Sequence, residues 1–198
     1  MRIGFWIGFT LFHCLILWYV LQFSPMEQIS MINTTHTEFG DQLFLLLSFS
    51  AEIVFPLGLS LYTFVKKRDS LIPLILTYLS VTFVIQFMKL QLFPDFARPD
   101  LYFSNQSIDF YKIKGQIIHQ RNSFPSGHTG AAWWIVFWLV QFFAKNNFQA
   151  FLFCLYGFGV ALSRVYLFQH FPVDTLAGGI ISIGIAYISL KFYQKKYA

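Results

Sequence analysis

Three groups of residues in this sequence suit phosphate chemistry. Lys89 stands near the end of an apolar run, and Arg98-Pro99 opens the polar stretch after it. Ser123-Phe124-Pro125-Ser126-Gly127-His128 leads into the next apolar run, and Ser163-Arg164, His170 and Asp174 follow further on. Lys89, Arg98 and Arg164 supply positive charge for a phosphoryl group, and arginine meets phosphate oxygens with a planar, two-pronged fork. Pro125-Ser126-Gly127 reads as a helix start, where Ser126 caps the helix and free N–H groups attract an anion. Gly127 lets the backbone come close to a ligand. His170 and Asp174 are four residues apart, so one helical turn brings them together. A carboxylate on one ring nitrogen makes the other the better nucleophile. His128 is then the acid that protonates a leaving oxygen. Three fixed cations do what a divalent ion would otherwise do, and Asp95, Asp100 and Asp109 form no clear ligand pattern, so neither metal nor cofactor is expected.

Plainer readings stand beside these. The His128, Arg164, His170 and Asp174 set can be a polar network that glues helices together, and Lys89 can be a snorkelling side chain. Ser123 is either a turn residue or a ligand. Glu52, a charge inside an apolar run, either touches substrate, relays a proton or pairs with a neighbouring helix. His119 and Arg121 either contact a second phosphate or headgroup or are solvated loop residues. His13 and His36 read as structural or exposed. Trp133, Trp134 and the many Phe residues read as packing and lipid contact, and Cys14 and Cys154 as apolar-run residues without a disulfide or metal role.

Positioning such a cluster falls to membrane helices. Of the 198 residues, 56% are hydrophobic and only 12% charged, and Phe alone contributes 26. A soluble domain is roughly a quarter charged, so lipid is the expected solvent. A span needs about 20 mostly apolar residues. Six stretches qualify, at approximately Ile3–Phe23, Gln42–Val65, Leu71–Phe93, Ser126–Ala144, Asn147–Phe168 and Val173–Phe192. The first run is long for a signal peptide and lacks a small-residue cleavage site, so it reads as a retained span. The expectation is an all-α, polytopic bundle of six transmembrane helices in a single domain over residues 1–198.

The net charge of +5 sits at the ends of apolar runs and forms no stripe of the kind that follows a nucleic-acid backbone. Basic residues favour the cytoplasm. Arg2, Lys66-Lys67-Arg68, Lys145 and the tail residues Lys191, Lys195 and Lys196 then lie inside. The Ser24–Asp41 loop, the long Pro94–Pro125 loop and the turn at His170 lie outside, although the long loop carries Arg98, Lys112, Lys114 and Arg121. Both termini are expected in the cytoplasm, and all three chemical groups at the outer-leaflet face.

The three groups together resemble the type-2 phosphatidic acid phosphatase superfamily of membrane lipid phosphatases. Its motifs are a Lys followed by Arg-Pro, then Pro-Ser-Gly-His, then Ser-Arg, five residues, His, three residues and Asp. The second and third are matched without gaps, the third as four residues in a twelve-residue window. In the first, eight residues separate Lys89 from Arg98 where the family usually has six. The resemblance implies that His170 becomes phosphorylated, Asp174 orients it, and His128 is the acid. Lys89, Arg98, Ser126, Gly127 and Arg164 would hold the phosphate, and water would release it without a metal. It implies a bacterial inner-membrane enzyme acting on phosphatidate, phosphatidylglycerol phosphate, undecaprenyl diphosphate or lipid A. A lipid phosphotransferase on the same scaffold is the alternative, and a non-enzymatic membrane carrier stands further off.

Overall fold

The computed structural model describes residues 1–197, with side chains as far as Lys195. The side chain of Lys196, one of the basic tail residues, lies outside the described residues. All the regular secondary structure among the described residues is helical. The elements are α1 (Ile3–Gln22), α2 (Pro25–Asn33), α3 (Glu38–Phe49), α4 (Phe55–Lys66), α5 (Leu71–Phe87), α6 (Pro99–Tyr102), α7 (Gly127–Phe143), α8 (Asn147–Tyr166) and α9 (Pro172–Tyr197). A π-helical turn, Ser50–Val54, joins α3 to α4, and another, Met88–Leu92, extends α5.

Among the described residues, five helical segments are long and apolar enough to cross a membrane: Ile3–Gln22, Glu38–Lys66, Arg68–Leu92, Asn147–Tyr166 and Pro172–Lys195. The helix α7, expected as a further span, has 17 residues. It is the hub of the bundle and packs on α4, α5, α8 and α9. Residues Ala132 through Phe137 are buried to within 1%. Two of its indoles, Trp134 and Trp138, donate from Nε1 to Thr77 Oγ1 of α5, at 2.9 and 3.0 Å. Ser182 Oγ of α9 donates to Gly130 O at 2.6 Å. These bonds satisfy polar groups inside the bundle, where no water can.

The surrounding helices are apolar outward as well as inward. Ile7 and Trp18 of α1, Leu57 and Leu61 of α4, and Leu79 and Phe83 of α5 are all exposed. An apolar belt of this breadth has no place in water. The chain is an integral membrane protein.

The stretch expected as a plain polar loop between the first two spans instead contains α2. Ser24 and Glu27 close a capping box at its start, with Ser24 N donating to Glu27 Oε2 at 2.8 Å. Its Ile29 packs with Phe103, Phe110, Val165 and Phe168, tying the loops on this side to the end of α8.

Helix direction follows from the contacts at the ends. Arg2 Nε donates to Ala144 O at 2.8 Å, so the start of α1 meets the α7–α8 turn. Thr37 N donates to Tyr166 Oη at 3.1 Å, so α3 begins where α8 ends. Arg2, Lys66-Lys67-Arg68, Lys145 and Lys195 therefore gather at one end of the bundle. Arg164, His170 and the start of α7 sit at the other.

Gly178 sets the approach of α9 to that second end, since a Cβ there would lie 2.4 Å from the backbone oxygen of Ser126. A Cβ at Gly58 of α4 meets nothing within 4 Å. Gly178→Ala is expected to destabilise the detergent-solubilised protein by about 1–3 kcal/mol through overpacking. Gly58→Ala is expected to be neutral or to stabilise by up to about 1 kcal/mol. Thermal unfolding of the two variants against the parent measures the contrast.

Candidate active site

The three groups of chemical residues meet in one cavity of about 650 Å³. Lys89, Arg98, Arg164, His128 and His170 all line it, as do Gly127, Glu52, His119 and Arg121. Ser126 and Asp174 stand behind this wall and act on residues that line it.

The spacing of the third motif is explained by how α8 ends. Leu167 N donates to Ser163 O at 2.8 Å, and Phe168 takes a left-handed conformation with φ of 57°. Gln169 N and His170 N then both return to Arg164 O, at 3.0 and 3.1 Å. This closure satisfies terminal carbonyls of the helix and folds His170 back toward Arg164. A bulky residue in the left-handed region is strained. Burial of Phe168 against Phe110, with ring centroids 5.0 Å apart, opposes that strain.

Asp174 lies in the first turn of α9, where a carboxylate suits the helix N-terminus. Its Oδ2 lies 3.2 Å from His170 Nδ1 and accepts from Phe171 N at 3.0 Å. Ser123 Oγ donates to the same oxygen at 2.5 Å. With Nδ1 engaged, Nε2 is the ring nitrogen left for a ligand. Ser123, read from the sequence as a turn residue or a ligand, is thus a partner of Asp174. Only the fold shows that it faces a residue 51 positions away.

Ser126 caps α7 as expected, with its Oγ accepting from Thr129 N at 3.4 Å. It is fully buried, and its own N–H goes to Asp174 O at 2.9 Å. Gly130 N returns to Ser126 O. The amides of Gly127 and His128 take no part in these bonds, as is usual in a first helical turn.

The cations are held by neutral acceptors. Lys89 Nζ donates to Asn122 O at 3.1 Å. Arg98 donates from Nε to Arg121 O at 3.0 Å, and from Nη1 to Gln169 O at 3.2 Å and Gln169 Oε1 at 3.0 Å. Arg164 Nη1 donates to Ser48 Oγ at 2.5 Å, while its buried Nε has no partner among the described residues. Despite the two extra residues in the first motif, Lys89 reaches the cavity beside Arg98. Lys89 sits in the wide turn Met88–Leu92, closed by Phe93 N donating to Met88 O at 2.8 Å just before Pro94. The same kind of turn carries Glu52, whose Oε2 lies 3.5 Å from His128 Nε2.

His119 and Arg121 stand at the rim, and Arg121 Nη1 meets exposed Asp95 at 3.2 Å. His13 and His36 lie elsewhere. His13 stacks on Phe9 with centroids 3.9 Å apart, and His36 pairs with Asp41 at 2.7 Å, so both are structural. Gln169 went unnoticed in the sequence. It is 2% exposed, and its Nε2 also donates to Ile117 O at 2.9 Å, bracing Arg98 against the long loop. An amide next to the motif histidine is the only signal that could have found it.

Electrostatics follow from burial. Burial, reinforced by Arg98, Lys89, Arg164 and His128, holds the His170 imidazole well below its usual value of 6.5. Burial likewise lowers Arg98, opposed by Asp174. His119 is lowered by partial burial and by the same cations.

A helical membrane protein with a cationic, histidine-bearing cavity at one end of its bundle is the class these features define. The chain belongs to the PAP2 superfamily, whose family pattern matches residues 70–198. Its fold is similar to that of the Aquifex aeolicus LpxE crystal structure, with a TM-score of 0.69 and 24% identity, over 87% of this chain and 98% of that one. It is also similar to the crystal structure of a transmembrane PAP2-type phosphatidylglycerolphosphate phosphatase from Bacillus subtilis, with a TM-score of 0.67 and 19% identity, over 98% of this chain and 96% of that one. None of the curated proteins matches the chain.

Gln169→Leu removes one acceptor of Arg98 and the donor to Ile117 O. The expected cost is about 1–3 kcal/mol for the groups left unpaired, seen as a lower unfolding temperature together with weaker binding of inorganic phosphate. The depressed His170 also makes stability pH-dependent. The unfolded chain protonates this histidine near pH 6.5 while the folded protein resists, so the unfolded state binds more protons. Stability is full above about pH 6.5 and is lost as the pH falls below it. The unfolding temperature should drop between about pH 7.5 and pH 5, and His170→Asn should narrow that drop.

Proposed function

We propose that this protein is a lipid phosphatase that works through a phosphohistidine. The observation that supports the reading is one cavity lined by Lys89, Arg98, Arg164, His128 and a His170 whose Nδ1 meets Asp174. On this reading the three cations and the Gly127 and His128 amides hold the non-bridging oxygens and stabilise the charge of the transition state. His170 Nε2 attacks phosphorus and the P–O bond to the leaving group breaks, while His128 gives its proton to the departing oxygen. His128 then takes a proton from water as that water attacks phosphorus. The P–N bond breaks, and inorganic phosphate and neutral His170 result. Fixed cations in place of a divalent ion make the reaction metal-independent.

The substrate is a lipid because the cavity continues into apolar wall from Leu45, Phe49, Tyr78, Val81 and Ile85. Phosphatidate, phosphatidylglycerol phosphate, undecaprenyl diphosphate and lipid A all present a phosphate on such an anchor. The orientation we propose puts the basic end of the bundle in the cytoplasm and the cavity at the outer leaflet of the inner membrane. In this arrangement α7 is the sixth span. Its 17 residues cover about 25 Å, short of the roughly 30 Å hydrocarbon core, but it is sheathed by longer helices.

The test is phosphate release by purified protein in detergent with chelator present, compared across those four lipids. Turnover of at least one is expected, and His170→Ala should reduce it by on the order of 10³-fold or more. Unchanged turnover by that variant, in protein that still unfolds cooperatively, would end the proposal. A phosphorylated acceptor in mixed-lipid reactions, with no free phosphate, would assign a phosphotransferase instead.

A further inference from the structure

The hydrolytic cycle above asks His128 to carry a proton in a place hostile to positive charge. Arg164, Lys89 and Arg98 line the same cavity as its ring, and nearby cations disfavour a further positive charge. The cations that bind phosphate therefore work against the acid that must serve the leaving group. One anion faces His128 from across the cavity. Glu52 Oε2 lies 3.5 Å from His128 Nε2, and its side chain is 61% exposed toward the open flank.

The backbone at Glu52 is shaped for this contact. Ser50–Val54 is a π-helical turn, in which Phe55 N donates to Ser50 O, and Pro56 follows it. A proline has no N–H to continue the α-helical ladder, so the turn widens ahead of it. The wide turn shifts the register of α3–α4 and brings Glu52 to the cavity, which Ser48 lines from one turn earlier.

Resting on the phosphatase reading, we propose that Glu52 is the positioning residue of the general acid. It favours the proton-bearing form of His128 and keeps Nε2–H aimed into the cavity until the leaving oxygen takes the contact over. A carboxylate within a few ångströms stabilises an imidazolium. Glu52 itself neither gains nor loses a proton: the His128 proton passes to the ester oxygen as the P–O bond breaks, and water restores it in the second step. Arg164 lines the same cavity as Glu52, so the rival role is that of counter-ion to a phosphate-binding cation.

Leaving-group dependence separates the two roles. An alkyl phosphate such as phosphatidate needs its leaving oxygen protonated, whereas the aryl ester 4-nitrophenyl phosphate departs without help. Glu52→Gln should lower kcat on phosphatidate by about tenfold or more, part of the roughly 10²–10⁴-fold that general acid catalysis supplies. It should change kcat on 4-nitrophenyl phosphate by less than about threefold, and leave KM for either ester near the parent value. Glu52→Asp, which keeps the charge, should recover part of the phosphatidate rate. The retained aryl activity reports that the variant is folded. Equal losses on both esters, or a change confined to KM, would overturn the assignment in favour of the counter-ion role or general damage. Unchanged kcat on phosphatidate would overturn it outright. Failure of the parent protein to release phosphate from any ester would instead sink the phosphatase reading, and this inference with it.

Discussion

Three buried cations held close together by neutral acceptors are the constraint around which this structure is arranged. Like charges repel more strongly as the surrounding dielectric falls, and Lys89, Arg98 and Arg164 each keep no more than 8% of their surface exposed. A fold selected for stability alone would place carboxylates between them. Here Asn122 O, Arg121 O, Gln169 and Ser48 take the hydrogen bonds instead. Their dipoles satisfy the donors without cancelling the charge, so positive potential remains for an anionic ligand. Asp174, the carboxylate behind this wall, spends its Oδ2 on Ser123, Phe171 N and His170.

Holding mutually repelling groups in register requires a rigid frame, and α7 with its partners supplies one. Its Trp134 and Trp138 converge on Thr77, and its first turn is tied to α9 by the Ser126–Asp174 backbone bond and the close approach at Gly178. The cationic pocket is therefore mounted on the most deeply packed part of the molecule. The lipid-facing helices around it need only be apolar.

Departures from regular helix concentrate at the cavity. Two wide turns, each followed by a proline, carry Glu52 and Lys89, and the left-handed Phe168 precedes His170. Each lets a side chain reach a place that a straight helix would deny it, with the neighbouring packing opposing the strain.

Much was legible before any coordinates. Hydropathy alone marks the long apolar helices, because a span must satisfy its backbone internally and present apolar side chains to lipid. The two ungapped motifs name His128, Arg164, His170 and Asp174, because phosphoryl transfer restricts which side chains can serve. Less was legible in the polar segments. The capping box of Ser24 and Glu27 is a short local signal for α2 inside a stretch whose composition otherwise reads as loop. Ser123 and Gln169 carry no local pattern, since their partners are 51 and 71 residues distant. Glu52 stood out as a charge in an apolar run, but its choice of neighbour did not. The sequence by itself determined the solvent of this protein and the kinds of chemical group it brings, since both depend on local composition and short spacing. Which of those groups share a cavity, which neutral atoms hold the cations, and which carboxylate faces which histidine were decided only by tertiary structure, because those contacts join residues that nothing along the chain connects.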